Sequence, residues 1–484
     1  MGQFTRKFLA NYTILVAGDL CSKVLLLWAS VRIAHVLGTD LFGDLAFAAA
    51  FTAYFSLLVS QGLGNYGMQE VARQPSRTGE YVGVILALRF TASLAAGLAL
   101  AATVWMLAKP LEIKILLLLY GLMFFSSAIT LAWVFQALEQ MKYVATATVL
   151  GQLAFSGCVL LFLDSPTQFA WVPIFQFGGE ALESIFLLYF YSRKFGAIRL
   201  VFDLRVWSAI WRDSLPIGLS FALGMVLYNF DVVLLGFMKT PTEVGQYSAA
   251  YKFISFSIAF LGLYHANILP AVSRCRDNPL LLSRISDRSL KYTLALAIPL
   301  AAGGTLLARP LMVLVFGHDF AAGAGALAIL IWIIPIMAVR AVYRATLLSH
   351  GFQRDFLWIS FCGAAINTGL NLVLIPGYSF IGAAVTSVIG EFLIFILVYE
   401  RVAKRVVRLA LGTHAWKPAV ACIPMIAFLK WHKTGTLPIL IGGGSAIYMV
   451  VAWVVGAIRP LEVWNEIRPA KTELTLGPDK IEDA

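Results

Sequence analysis

Arg340 and Arg344 stand four residues apart in an otherwise apolar run, "IPIMAVRAVYRATLL". On a helix that spacing is about one turn, so both guanidinium groups leave the same face. Paired forks of this kind match the oxygens of a diphosphate. Arg89 and Lys23 add two cations in equally apolar surroundings, and the four together form a candidate phosphate-binding set. A second set is acidic. Asp19, Glu180, Asp231 and Glu391 are carboxylates whose charge would respond to changing exposure, which makes them candidate coupling sites for H+. Asn367 and Asn371 share a helix face and could join backbone oxygens around Na+, with interhelical hydrogen bonding as the competing reading.

Other chemistries are excluded by their context. Gly62, Gly64 and Gly67 have the spacing of a dinucleotide-binding turn, but "DLAFAAAFTAYFSLLV" ahead of them has no strand alternation and no βαβ unit. Their expected role is a tight exit and close helix packing. No Walker A lysine motif, His-Glu-x-x-His helix or Cys-x-x-Cys pair is present. The five cysteines, Cys21, Cys158, Cys275, Cys362 and Cys422, show no metal-ligand spacing. No metal and no cofactor is expected.

The elements that position these residues must lie in a bilayer. The chain is 60% hydrophobic and 13% charged, with a mean hydropathy of +0.81, whereas soluble domains average about 25% charged residues. An all-α polytopic fold follows. About fourteen stretches reach the roughly 20 residues a span needs. They begin near Asn11, Asp44, Tyr81, Ile115, Val144, Trp171, Ser214, Gly245, Tyr292, Ala326, Leu357, Ile381, Trp416 and Pro438. The ninth and thirteenth are short or broken, which leaves twelve as the alternative. With the N-terminus inside, most of the 37 Lys and Arg fall in cytoplasmic connections. The net charge of +11 is therefore a topology signal, and nucleic acid is not an expected partner. The first apolar segment is too long for a cleavable signal peptide.

A repeat organises the spans. "LGTDLFGDLAFAAAF" (37–51) resembles "MKTPTEVGQYSAAYKF" (238–253), each a short outside turn, a glycine and a small-residue helix. The copies lie an even number of spans apart, so both halves cross in the same direction, as in transporters that rock two lobes about a central site. The expected organisation is an N-terminal six-helix lobe, 11–192, and a cytoplasmic amphipathic linker, 193–213, carrying Trp207 and Trp211. A C-terminal six-helix lobe, 214–400, a basic loop, 401–417, two additional spans, 418–458, and a cytoplasmic tail, 459–484, complete it.

"ILPAVSR" (268–274), "SLPIGLS" (214–220) with "YNFDVVLLGFMKTPTEVGQYSAAYKF" (228–253), and "NTGLNLVLIPGYSFIGAAVTSVIGE" (367–391) carry a family resemblance. The chain resembles the polysaccharide, O-antigen-type flippase branch of the multidrug/oligosaccharidyl-lipid/polysaccharide exporter superfamily over about residues 11–400; His35 stands where relatives often have arginine. The resemblance implies a V-shaped pair of lobes plus two C-terminal helices in the bacterial inner membrane, both termini cytoplasmic. It further implies a secondary transporter, not an enzyme, that flips an undecaprenyl-diphosphate-linked oligosaccharide to the outer leaflet. Membrane lipids and the polysaccharide polymerase and assembly machinery are the implied partners. An organic-cation exporter of the same superfamily and, less favoured, a membrane polymerase or ligase are the alternatives.

A charge at the bilayer centre costs about 2.5–3.5 kcal/mol on insertion scales, so each must face water, find a partner or snorkel. Asp19 and Lys23, at i and i+4, can neutralise each other. Asp231 and Lys252 are expected to pair between neighbouring spans, and Arg32 to snorkel outward. Trp28, Tyr54, Tyr228, Trp332 and Tyr343 could stack on sugars, although packing is the commoner use; His265 reads as a packing residue.

Overall fold

The computed structural model describes residues 2–265, 268–432 and 435–457; the tail at 459–484 lies outside the described residues, as do the side chains of Tyr228 and His265. No strand occurs among the described residues. Helix is what a bilayer permits, since each backbone N–H and C=O must be satisfied within its own segment.

The first half comprises α1 (Gly2–Ser60), α2 (Leu63–Arg73), α3 (Thr78–Met106), α4 (Leu111–Gly121), α5 (Met123–Ile129), α6 (Ala132–Ala137), α7 (Met141–Phe162) and α8 (Trp171–Phe195). The second half comprises α9 (Leu204–Met238), α10 (Pro241–His265), α11 (Ile268–Arg274), α12 (Pro279–Leu306), α13 (Ala308–Phe316), α14 (Ala324–Leu330), α15 (Ile333–Ser349) and α16 (Gln353–Arg405). Two more follow, α17 (Leu411–Trp431) and α18 (Leu437–Val454). Among the described residues, seven helical stretches are long and apolar enough to cross a membrane, or nine if two bent pairs each count as one span.

Two long helices are each a pair of arms. α1 breaks at Gly38 (φ 72°), a backbone region that glycine enters at no steric cost. α16 breaks at Ser379 (φ 50°), and the Ser379 hydroxyl donates to the carboxylate of Glu243. The segment expected as an amphipathic linker, 193–213, is non-helical at 196–203 and helical from Leu204, where it continues unbroken into α9. Its non-helical part is pinned to α3 by the Val201 N–H donating to the Gly83 carbonyl at 3.3 Å.

Four apolar clusters hold the molecule together. One lies within the first half, around Val82, Ile85, Phe135 and Leu187. Another lies within the second, around Leu290, Val342, Ile394 and Val398. The largest bridges the two, joining α1 and α4 to α9, α10 and α14 through residues such as Leu45, Phe47, Leu235 and Val244. The fourth ties α17 and α18 to α12 through Ala302, Met425 and Tyr448. The second arm of α1 follows α9 along its length: Phe47 lies on Gly236, the Tyr54 hydroxyl donates to the Met225 carbonyl at 3.4 Å, and Gly62 lies against Gly218.

Candidate functional site

The densest buried polar constellation lies in the second half. Asp231 of α9 is 1% exposed. Its carboxylate accepts from the Tyr247 hydroxyl of α10 at 2.8 Å, from Asn371 Nδ2 of α16 at 2.5 Å and from the Ser387 hydroxyl on the other arm of α16. Asn371 Nδ2 also donates to Asn367 Oδ1 at 3.0 Å, while its own Oδ1 is buried with no hydrogen-bond partner. Three neutral donors therefore share one buried carboxylate, and no Lys or Arg pairs with it among the described residues. Rotating the Asn371 amide would aim its unpaired oxygen at the same point as Asp231, a cluster of oxygens suited to a hard cation or a proton. The expected partnership of Asp231 with Lys252 is not formed. Lys252 pairs with no carboxylate among the described residues.

One step away, Arg340 of α15 and Glu391 of α16 form an ion pair at 3.0 Å, with side chains 10% and 7% exposed. Asn367 packs against Gly390, where a Cβ would lie 3.2 Å from its Nδ2. Asp231, Asn371 and Asn367 form one hydrogen-bonded path between α9 and α16. The Arg344 guanidinium lies over the Phe356 ring, 5.9 Å from the centroid.

The other expected cations are dispersed. Lys23 donates to Asp19 at 2.6 Å on α1, the local neutralisation that their spacing allows, and both are part-exposed. Arg89 of α3 is 6% exposed; among the described residues it meets the Thr130 carbonyl alone, at 3.5 Å, and its Nε has no hydrogen-bond partner. α2 and α6 wall it in, and a Cβ at Gly64 would stand 2.7 Å from its Nη2. Glycine at 64 is what lets the guanidinium lie there. Gly67 is likewise packed, against Ile85 and Trp133. Toward the end of the first arm of α1, before the Gly38 break, Arg32 pairs with Asp164 at 2.7 Å.

Glu180 of α8 accepts from the Ser126 hydroxyl at 3.0 Å and from Gln176 Nε2 at 3.2 Å, and Glu183 accepts from the Thr148 hydroxyl at 3.1 Å. They belong to the first half and do not join the Asp231 path. Of the aromatic candidates, Tyr343 is fully buried against Phe395 and Tyr399, whereas Trp28 and Trp332 are exposed at 64% and 42%. Among the described residues no group of His, Cys, Asp or Glu is arranged to hold a metal ion. Sequence reasoning missed Tyr247 and Ser387. The one signal for Ser387 was its position a turn before Glu391.

The ionisable groups at the turns are better supplied. Glu243, in the first turn of α10, is partly buried, which raises its pKa, but the Ser379 hydroxyl, the Thr240 N–H and hydroxyl and the Lys239 charge outweigh burial and hold it below the usual carboxylate range. An apolar cavity of about 620 Å³ opens between α12, α17 and α18, lined by residues that include Leu296, Leu300, Met425, Leu440 and Met449.

This architecture is that of a multi-pass membrane protein. It resembles a solved lipid II flippase, MurJ, in an inward closed conformation, with TM-score 0.76 and 13% identity over 94% of this chain and all of that one. It also resembles an inward-facing multidrug resistance MATE transporter of the MOP superfamily, with TM-score 0.61 and 14% identity over 81% of this chain and 98% of that one. The profile of the family described as polysaccharide biosynthesis protein matches residues 8–275, and the chain belongs to that family, in the polysaccharide flippase branch of the MOP superfamily. Two curated relatives, from Shigella dysenteriae and Escherichia coli strain K12, carry the name O-antigen transporter. Each is 22% identical; they cover 76% and 75% of this chain and 93% and 88% of their own lengths. The relatives are named transporters and flippases, not enzymes.

Proposed function

We propose that this chain flips a lipid-linked oligosaccharide, of the undecaprenyl-diphosphate class, from the cytoplasmic to the outer leaflet of the bacterial inner membrane. It does so with both termini cytoplasmic, by alternating access of two six-helix lobes, 11–192 and 214–400, within about fourteen passes of roughly 20 residues each. α1 and α16 each supply two passes, one per arm. The observation that carries the reading is Arg89, a guanidinium inside an apolar helical bundle with, among the described residues, one long contact to a carbonyl. Such a charge is costly to keep in a bilayer unless a ligand uses it, and a diphosphate is the complementary ligand. Lys252, paired with no carboxylate among the described residues, is the second candidate contact, and Lys23 and Arg344 are further candidates. Arg340 is already neutralised by Glu391, so it can reach phosphate only by exchanging one anion for another.

The apolar cavity beside α17 and α18 supports the same cargo, since a lipid tail needs a dry surface next to the lobes. The Asp231 cluster is the proposed coupling site for H+ or Na+, with Asp19 and Glu180 as further proton candidates. Polysaccharide polymerase and assembly proteins are the proposed partners, receiving cargo on the outer side. The test is flipping of labelled undecaprenyl-diphosphate oligosaccharide in proteoliposomes. Arg89→Ala and Lys252→Ala are expected to slow it at least tenfold while the protein elutes as a folded monodisperse species. Parental rates in both folded variants would end the phosphate assignment.

A further inference from the structure

The two copies of the repeated turn touch each other, and they do so reciprocally. Gly43 lies against the Pro241 carbonyl, so close that a Cβ there would stand 1.9 Å from the oxygen. Gly245 lies against the Thr39 carbonyl, where a Cβ would stand 2.2 Å away. The Thr242 hydroxyl donates to Asp40 Oδ1 at 2.5 Å. One numbering offset relates Thr39 to Pro241, Asp40 to Thr242 and Gly43 to Gly245. Each glycine therefore meets the counterpart of its own neighbour, the arrangement of an isologous two-fold contact, here inside one chain.

We infer that this pair of turns is the outer clasp of the two lobes, a contact that must part for the outer side to open. The inference rests on the alternating-access reading above. Its physical basis is the absence of side chains. Two backbones held by glycine Cα–H to carbonyl contacts approach closely without interlocking, and each such contact is worth only about 0.5–1 kcal/mol. A larger residue on either side would hold the turns apart. Asp40 and Thr242 lie at the exposed rim and add one hydrogen bond. Immediately below, Phe47 fills the space over Gly236 and its ring meets that of Phe237 edge-on at 5.3 Å. Parting the turns would expose Phe47 first.

Two arms test this in a background in which the five native cysteines are replaced by serine. Asp40→Cys with Thr242→Cys is expected to form a disulfide in membranes. Oxidation should lower flipping at least tenfold, and reductant should restore it. Separately, a single Phe47→Cys reporter is expected to react at least tenfold faster with a membrane-impermeant maleimide from outside when Gly43→Leu is present. Where the leucine variant does not fold, Gly43→Ala, which adds only the clashing Cβ, takes its place. Failure to cross-link, cross-linked protein that flips at the uncross-linked rate, or unchanged labelling would each overturn the clasp. A parent that moves no lipid while its labelling responds to Gly43→Leu would overturn the transport reading and leave the clasp standing.

Discussion

Removing Glu391 measures how much of the second half depends on one buried pair. The Arg340 and Glu391 side chains are 10% and 7% exposed and 3.0 Å apart, so truncating either one removes the buried counter-charge of the other. Breaking a buried pair in this way costs about 3–5 kcal/mol, whereas replacing both partners with apolar residues of similar volume is often neutral or stabilising. At 1.4 kcal/mol per tenfold, Glu391→Ala should shift the folding equilibrium by roughly two to three and a half decades. Arg340→Met with Glu391→Leu together should recover most of that loss. The assay is a reversible detergent-denaturation titration of the purified protein, arranged as a double-mutant cycle of Arg340→Met, Glu391→Leu and the two together, with a coupling energy above about 3 kcal/mol. Single variants as stable as the parent, or a double variant no better than the singles, would falsify the claim that this pair is buried and mutually neutralising. The cycle also bears on mechanism. If the pair breaks during transport, the stabilised double variant should fold well and flip poorly.

Two further outcomes follow from the polar groups. Asp231→Asn keeps the side chain's size but removes the charge shared by Tyr247, Asn371 and Ser387; flipping should lose its dependence on an imposed H+ or Na+ gradient while substrate binding survives, read by gradient-dependent proteoliposome assays. Glu243 supplies a pH dependence with a definite sign. Because its folded pKa lies below the unfolded value of about 4.3, its stabilisation is fully present above that value and lost as pH falls through the folded one. Glu243→Gln should therefore flatten the acid limb of a stability–pH curve and leave the neutral region displaced by a constant amount.

What was legible in the sequence was whatever depends on neighbours along the chain. Hydropathy marked the helices to within a few residues of most starts, with Tyr81 expected against Thr78 observed and Val144 against Met141. The same locality makes Asp19–Lys23 visible, because an i, i+4 pair needs no knowledge of packing. Arg340–Glu391 was not visible as a pair, because the two residues sit on different helices and only the packing of α15 on α16 brings them together. Asp231 was seen as important and given the wrong partner. Lys252 is adjacent by topology, but three neutral donors on α10 and α16 reach the carboxylate instead. The break at Ser379, by contrast, was legible along the chain, since spans expected to begin near Leu357 and Ile381 leave a connection just before Ile381, where the kink falls.

The charges inside the bundle fall into two classes, and the division matters more than their number. Asp19–Lys23, Arg32–Asp164 and Arg340–Glu391 are matched within the protein, so their cost is largely met whatever the cargo does. Arg89 and Lys252 are not matched by a carboxylate among the described residues, and Asp231 is held by neutral donors alone. A matched pair needs no ligand to exist, whereas an unmatched charge in a bilayer is retained against a standing penalty. On the proposed function the unmatched cations are therefore better candidates for the cargo contact than the arginines at 340 and 344, whose spacing first suggested a diphosphate. On the same proposal Asp231 is the first candidate for coupling, with Glu180 and Glu183, which also accept from neutral donors, behind it. On that argument Arg89 and Asp231, in opposite halves of the chain, are the two positions whose loss should separate cargo recognition from coupling.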